Sequence, residues 1–169
     1  RLPIQRHHTS SLLCYLDRSY KQLEELLQGL AHVQKHTADV VLVCPGLLGE
    51  VIARLGLAGI TASNDLIDFE YAMSQADRFL GHGGVGTLNQ ALRLGKPVFV
   101  LPMQMEQLNN GLRLQQAGLG KIIPEFSQAK EYARVLNTFM HNSEAEAQAR
   151  KFSNNHQGTS DLSLAAAVV

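Results

Sequence analysis

The sequence predicts an α/β fold, a doubly wound parallel sheet with helices on both faces. Three observations carry that reading. Short apolar runs alternate with longer amphipathic ones, the order of a chain built from strand–helix–strand units. The clearest apolar run, Val40-Val41-Leu42-Val43, is continuous, as suits a strand covered on both faces. Breakers close the runs, with Pro45-Gly46 after a strand and Gly95 and Gly118 after helices.

Taken in order, Ser11 to Leu16 reads as the first strand. Ser19 opens a helix that places Leu23, Leu26, Leu27 and Leu30 on one face. Ala38 to Cys44 is the second strand, Leu47 to Leu55 a short helix, and Gly59 to Ala62 the third strand. After the Ser63-Asn64-Asp65 turn, Phe69 to Gln75 reads as helix and Arg78 to Gly81 as the fourth strand. A glycine-rich turn then leads into a helix from about Thr87 to Leu94. Pro97 to Leu101 is the fifth strand, Glu106 to Ala117 a helix, and Ile122-Ile123 a short last strand. From Ser127 onward two or three helices are expected, with Ser143 as a cap. Residues 153–160 read as loop, and the apolar end Ala165 to Val169 needs a surface to pack on. A chain of 169 residues suits a single domain over its whole length.

Composition narrows the function. Fifteen basic and fifteen acidic residues cancel, so the chain lacks the basic footprint that nucleic acid or an anionic membrane calls for. Cys14 and Cys44 lack metal-ligand or disulfide spacing and read as buried thiols of a reducing, cytoplasmic compartment. No apolar run is long enough to span a bilayer. The chain opens at Arg1, without Met, as a piece of a longer polypeptide does. His7, His8, His32, His36, His141 and His156 show no spacing that makes a general base or a metal set.

Chemistry concentrates in two places. In Phe79-Leu80-Gly81-His82-Gly83-Gly84-Val85-Gly86-Thr87, four glycines fall within six residues at the end of a strand and the start of a helix. Glycines let backbone approach a ligand, and a helix start offers unpaired N–H groups and a positive dipole end. Such a turn suits a phosphate or diphosphate, with His82 and Thr87 as added donors. A tight turn whose glycines serve packing alone is the alternative. It is neither a dinucleotide fingerprint nor a Walker A loop, because the spacing and the following Lys-Ser/Thr are missing. One strand later, Pro102-Met103-Gln104-Met105-Glu106-Gln107-Leu108-Asn109-Asn110 also follows a strand end and opens a helix. A carboxylate beside an amide suits paired hydroxyls, although Glu also belongs at a helix N-terminus for its charge alone.

Jointly, His-Gly-Gly-x-Gly-Thr, Gly-x-Pro and Pro-x-x-x-Glu-Gln-x-x-Asn, over residues 79–120, resemble the donor signature of the GT-B glycosyltransferases. The segment is most similar to the UDP-glucosyl- and glucuronosyltransferases and to bacterial macrolide and glycolipid transferases. The resemblance implies a Rossmann-like domain, the C-terminal half of a GT-B enzyme that transfers a hexosyl group to an acceptor hydroxyl. It assigns the diphosphate to His82, Gly83, Gly84, Gly86 and Thr87, and the hexose to Glu106, Gln107 and Asn110. The ribose and base fall to Gln90, Asp65 and Ile67. No cofactor or metal is implied; the partner is a nucleotide sugar, a UDP-hexose in the first place. The catalytic base, commonly a histidine, belongs to the other domain, so no catalytic residue is expected in this chain. The acceptor, a small molecule or a lipid, would be held there too, leaving peripheral membrane association open.

Two departures stand out. Gln90 replaces the glutamate that generally grips the ribose, which removes charge assistance from that bond. Tyr15-Leu16-Asp17-Arg18 replaces a small Ser/Gly turn, and Asp17 there repels a diphosphate unless Arg18 offsets it. Three other readings stay open: a catalytic subunit completed by a second chain, a sugar-nucleotide epimerase or hydrolase of the same architecture, and a non-catalytic binding module.

Overall fold

A computed structural model describes residues 7–65, 67–156 and 158. Six strands form one sheet: β1 (Ser11–Tyr15), β2 (Asp39–Val43), β3 (Thr61–Ser63), β4 (Arg78–Gly81), β5 (Val98–Val100) and β6 (Gly120–Ile122). Their order is β3-β2-β1-β4-β5-β6, and every neighbouring pair is parallel. The helices are α1 (Leu23–His36), α2 (Gly49–Leu57), α3 (Phe69–Gln75), α4 (Val85–Arg93), α5 (Met105–Gln116), α6 (Ala129–Met140) and α7 (Ser143–Asn155). This is the expected Rossmann-like α/β architecture.

Side-chain alternation along each strand feeds two cores. Leu12, Cys14, Leu42, Leu80 and Phe99 face one layer, where they meet Leu26, Leu30 and Val33 of α1 and Tyr132, Leu136 and Phe139 of α6. Leu13, Val41, Phe79, Val98 and Val100 face the other, against Met73 of α3, Leu88, Ala91 and Leu92 of α4, and Leu114 of α5. Both faces of the sheet are thereby covered, which is why β2 is apolar at four successive positions. Cys14 and Cys44 are free and buried.

The strand order positions the site. From β1 the chain steps outward to β2 and β3, then returns to lay β4 against the other side of β1. The segments that leave β1 and β4 therefore diverge to opposite faces, opening a crevice beyond their carboxyl ends.

Several boundaries differ from the sequence reading. α1 starts at Leu23, and Ser19 does not open it; its amide and hydroxyl both donate to Asp17 Oδ1, at 2.8 and 2.7 Å. Tyr20 holds the intervening turn, because its buried ring carries a hydroxyl bonded to that of Tyr132 at 2.8 Å. The cap of α7 is Asn142, which accepts the Ala145 N–H, and Ser143 is the first helical residue. Residues 153–155 belong to α7. The helix runs on because Phe152 packs on the second core and the Ser153 hydroxyl donates to Arg93 O. The apolar end at Ala165 to Val169 lies outside the described residues.

Candidate functional site

A cleft of about 370 Å³ lies at the point where strand order reverses. Tyr15, Leu16 and Asp17 line it from β1, Pro45 from β2, His82, Gly84 and Thr87 from β4 and α4, and Gln107 from α5. The structure thus brings His82, Gly84, Thr87 and Gln107 together in one cleft. Gly83, Gly86, Gln90, Glu106, Asn110, Asp65 and Ile67 are not among its walls.

The four glycines of the turn divide into two kinds. A Cβ on Gly81 would come within 2.6 Å of the Phe79 ring, and one on Gly83 within 2.8 Å of Val100 Cγ1. Gly83 also has φ of 90°, a conformation that L side chains rarely adopt. These two are required by packing and backbone. Gly84 and Gly86 are not. A Cβ on Gly84 meets nothing nearer than Thr87 Oγ1 at 4.0 Å, and one on Gly86 meets nothing within 4 Å. Neither has positive φ. Among the described residues nothing calls for glycine at these positions, and a bare backbone there leaves the N–H groups of α4 open to an approaching group.

The electrostatics of α4 agree. Gly84 is its N-cap and supplies no side-chain bond, and its first turn holds no acidic residue. Each of the other six described helices has at least one acidic residue in its first turn. The helix dipole at this end is left without internal compensation, an arrangement that favours a bound anion by about 0.3–1 kcal/mol, and by about 2 kcal/mol when partly buried. The Thr87 hydroxyl donates its proton to Gly84 O at 3.0 Å, so in this structure the donors left to an anion here are the backbone N–H groups.

The loop after β5 is ordered by its own side chains. Gln107 Oε1 accepts the Met103 N–H at 2.7 Å and the Gln104 N–H at 3.2 Å, closing a capping box at the start of α5. Its carboxamide oxygen is committed, so the group it presents to the cleft is its NH2. Asn110 Nδ2 donates to Gly83 O at 3.0 Å and braces the glycine turn from α5. Glu106, in the first turn of α5, is exposed, as are the Met103 and Met105 side chains beside it.

His82 lines the cleft with its ring held between two main-chain groups. Its Nδ1 is 2.8 Å from Leu101 O, and its Nε2 is 2.8 Å from the Asp17 amide nitrogen. Asp17 itself is exposed at the cleft mouth, with its amide on His82 and its carboxylate on Ser19. The Ser19 backbone N–H, and then the Ser19 hydroxyl, hold the Asp17 carboxyl below the usual carboxylate range, so this acid is charged at neutral pH. Asp65, after β3, is exposed and exchanges hydrogen bonds with Ser63; Ile67 packs on the second core. Tyr15 and Leu16 belong to the turn that the sequence marks as a departure, whereas Pro45 reads there only as a breaker. The signal was present, since each ends or follows one of two apolar runs that the strand pattern makes neighbours.

Among the described residues no three His, Cys, Asp or Glu side chains are placed to hold a metal ion, and no helix is long and apolar enough to cross a membrane.

Residues 63–163 match the glycosyltransferase family 28 C-terminal domain. The chain belongs to that family. The family 28 domain also shares 28% identity over 99 residues with a zeaxanthin glucosyltransferase of Pantoea ananas, an alignment covering 59% of this chain and 23% of the relative. A 53-residue segment is 34% identical to the NDP-glycosyltransferase YjiC of Bacillus subtilis (strain 168), covering 31% of this chain and 14% of that protein. The chain thus spans about a quarter or less of the curated relatives it matches. Among solved structures, the calicheamicin glycosyltransferase CalG4 superposes with a TM-score of 0.75 at 20% identity, over 96% of this chain and 40% of that one. LpCGTa, solved in complex with UDP, gives 0.74 at 22% identity over 93% of this chain and 41% of that one. These two place the family 28 domain in the GT-B fold.

Proposed function

We propose that this domain binds the donor of a hexosyl transfer, a nucleotide sugar and in the first place a UDP-hexose. The observation that carries the reading is the pair Gly84 and Gly86, two glycines that packing among the described residues does not require, at the bare N-terminus of α4. The diphosphate lies against the backbone of Gly84 and Gly86, on a turn whose shape Gly83 sets, and the Thr87 hydroxyl turns from Gly84 O to donate to it. The hexose extends toward Glu106 and Gln107, a carboxylate acceptor beside an amide donor. Asn110 holds the turn rather than the sugar. Gln90 and the segment containing Asp65 and Ile67 take the ribose and base. A structure of a relative holding UDP, and that of the spinosyn rhamnosyltransferase SpnG complexed with thymidine diphosphate, support a nucleoside diphosphate as the ligand class.

In transfer, negative charge grows on the departing diphosphate. Backbone N–H groups and the α4 dipole are fixed in place before that charge develops, so they stabilise it without reorganising. The acceptor and the base that deprotonates it belong to polypeptide beyond this domain. Titration calorimetry with uridine, UMP, UDP and UDP-glucose tests the reading. Affinity should rise at each phosphate added and again, modestly, with the hexose. Equal affinity for uridine and UDP would contradict a diphosphate site, and transfer of glucose by this 169-residue chain alone would contradict the placement of the base.

A further inference from the structure

We propose that His32 and His36 of α1 form a two-imidazole site for a divalent metal ion of the nitrogen-preferring class, Zn2+ and Ni2+ among them. Read along the sequence, the histidines show no metal spacing; the helix changes that for these two. They stand at i and i+4 of α1 and both are exposed. Residues so spaced share a face, and side chains lean toward the helix N-terminus, so the His36 ring comes down over His32. Their ring centroids are 4.6 Å apart with the planes inclined at 46°, close enough for one ion to take a nitrogen from each. Neutral imidazole is a good ligand for such ions, and two of them one turn apart on a helix face make a chelate.

The ring nitrogens are also free to serve. Among the described residues His8, His82, His141 and His156 each place a ring nitrogen on a main-chain carbonyl, of Gln34, Leu101, Asn137 and Phe152. No ring nitrogen of His32 or His36 is hydrogen-bonded among those residues. The local field favours a cation, because His36 is the last residue of α1, where the helix dipole is negative. α6 runs alongside in the same direction: Gly29 backs onto Ala129 and Tyr132, and the Thr37 hydroxyl donates to Asn137 Oδ1 at 2.6 Å. The negative ends of the two helices therefore lie side by side. Lys35 belongs to the same turn but points about 100° round the helix from His36. No third His, Cys, Asp or Glu of the described residues joins the pair, so water fills the remaining positions. Glu24, two turns back on the same face, is engaged by Arg54 and Gln28.

The site is separate from the cleft. α1 leaves the carboxyl end of β1 and delivers the chain to the amino end of β2, so its last turn lies at the far end of the sheet. Metal binding there stands or falls without the donor-site reading.

The test is a Zn2+ titration of the whole chain, free of any purification tag, followed by calorimetry and by NMR of the histidine rings. One ion per chain should bind, and the His32 and His36 ring signals should move together with a single affinity. Ni2+ should bind more tightly than Co2+, the order nitrogen ligands impose, and Mg2+ should give no heat. His32→Ala and His36→Ala should each weaken Zn2+ by about tenfold or more, and the double variant little further, because either loss already breaks the chelate. Alanine at an exposed helical position favours the helix, so the loss is not one of fold. His141→Ala, at the end of α6, should leave Zn2+ affinity unchanged. The proposal is overturned by movement of only one of the two rings, by different affinities at each, by tightest binding at His7 and His8, or by a His32→Ala chain that binds Zn2+ like the parent.

Discussion

Replacing Gly86 with alanine separates the needs of the fold from those of the ligand. Gly86 is the second residue of α4, has ordinary φ, and leaves open space within 4 Å of where a Cβ would stand. For the fold, alanine is the better residue, because glycine in a helix costs roughly 0.5–1 kcal/mol relative to alanine. So near the helix start the gain falls at the lower end, about 0.5 kcal/mol, or about 1–2 °C in melting temperature for a domain of this size. For the ligand, alanine is worse. A helical Cβ tilts toward the helix N-terminus, and at Gly86 that is where the diphosphate would lie. A tenfold loss of UDP affinity, about 1.4 kcal/mol, is expected. Gly56 provides the control, since it too is helical with nothing within 4 Å but sits in α2, away from the cleft walls. Gly56→Ala should raise the melting temperature and leave UDP affinity unchanged. Thermal unfolding and calorimetry on both variants decide the matter. Refutation would be a Gly86→Ala protein that is stabilised and binds UDP as tightly as the parent, since the open space would then belong to no anion.

Other perturbations probe the remaining walls. Gln107→Glu keeps both acceptor bonds to Met103 and Gln104 N–H and adds charge that favours a helix start. Its melting temperature should hold or rise, while the extra affinity of UDP-glucose over UDP disappears with the lost NH2. Asp17→Asn removes the one carboxylate on the cleft wall and should tighten UDP by about fivefold at low salt, near 1 kcal/mol for an exposed charge pair at close range. In 1 M salt that difference should shrink toward nothing. The hydrogen bonds that hold Asp17 low give a pH dependence of definite sign. A carboxyl depressed in the folded state contributes above its unfolded value of about 3.9, and that contribution is lost as pH falls through its folded value. The Ser19 amide resonance should therefore stay put from neutral pH through pH 5 and move only below the ordinary carboxylate range. Arg78→Met strips the cation that bonds Phe139 O and Asn142 O at the amino end of β4. Two partly or fully buried carbonyls losing their donor should cost about 3 kcal/mol, seen as a melting temperature lower by about 6–12 °C, with UDP affinity in the folded range unaffected.

The sheet was legible because its signals are local. Continuous apolar runs and the breakers after them place β1, β2, β4 and β5 to within two residues at either end, and they imply a parallel sheet. What misled was decided at long range. Ser19 looks like a helix cap, but Tyr20 is pulled into the core by Tyr132, 112 residues away, and the helix waits until Leu23. Polar residues at 153–155 look like loop until Phe152 and Ser153 find α4 and the second core. At the site, the sequence shows four glycines but not that Gly81 and Gly83 answer to Phe79 and Val100 while Gly84 and Gly86 answer to nothing inside. It shows a histidine beside a diphosphate signature but not the Asp17 amide and Leu101 carbonyl that occupy it. The pairing of His82, Thr87 and Gln107 in one cleft was readable because adjacent parallel strand ends face the same side.

The most direct measurement is backbone amide NMR during a UDP titration, because the chain has a second and larger cavity to serve as an internal control. That cavity, about 480 Å³, lies at the other side of the domain between Gln115, Lys121, Asn142 and Gln148. The amides of Gly84, Gly86 and Thr87 should shift most, saturate with a single affinity, and respond far less to uridine at the same concentration. Shifts centred on Gln115 and Asn142, or equal responses to uridine and UDP at the start of α4, would contradict the diphosphate site.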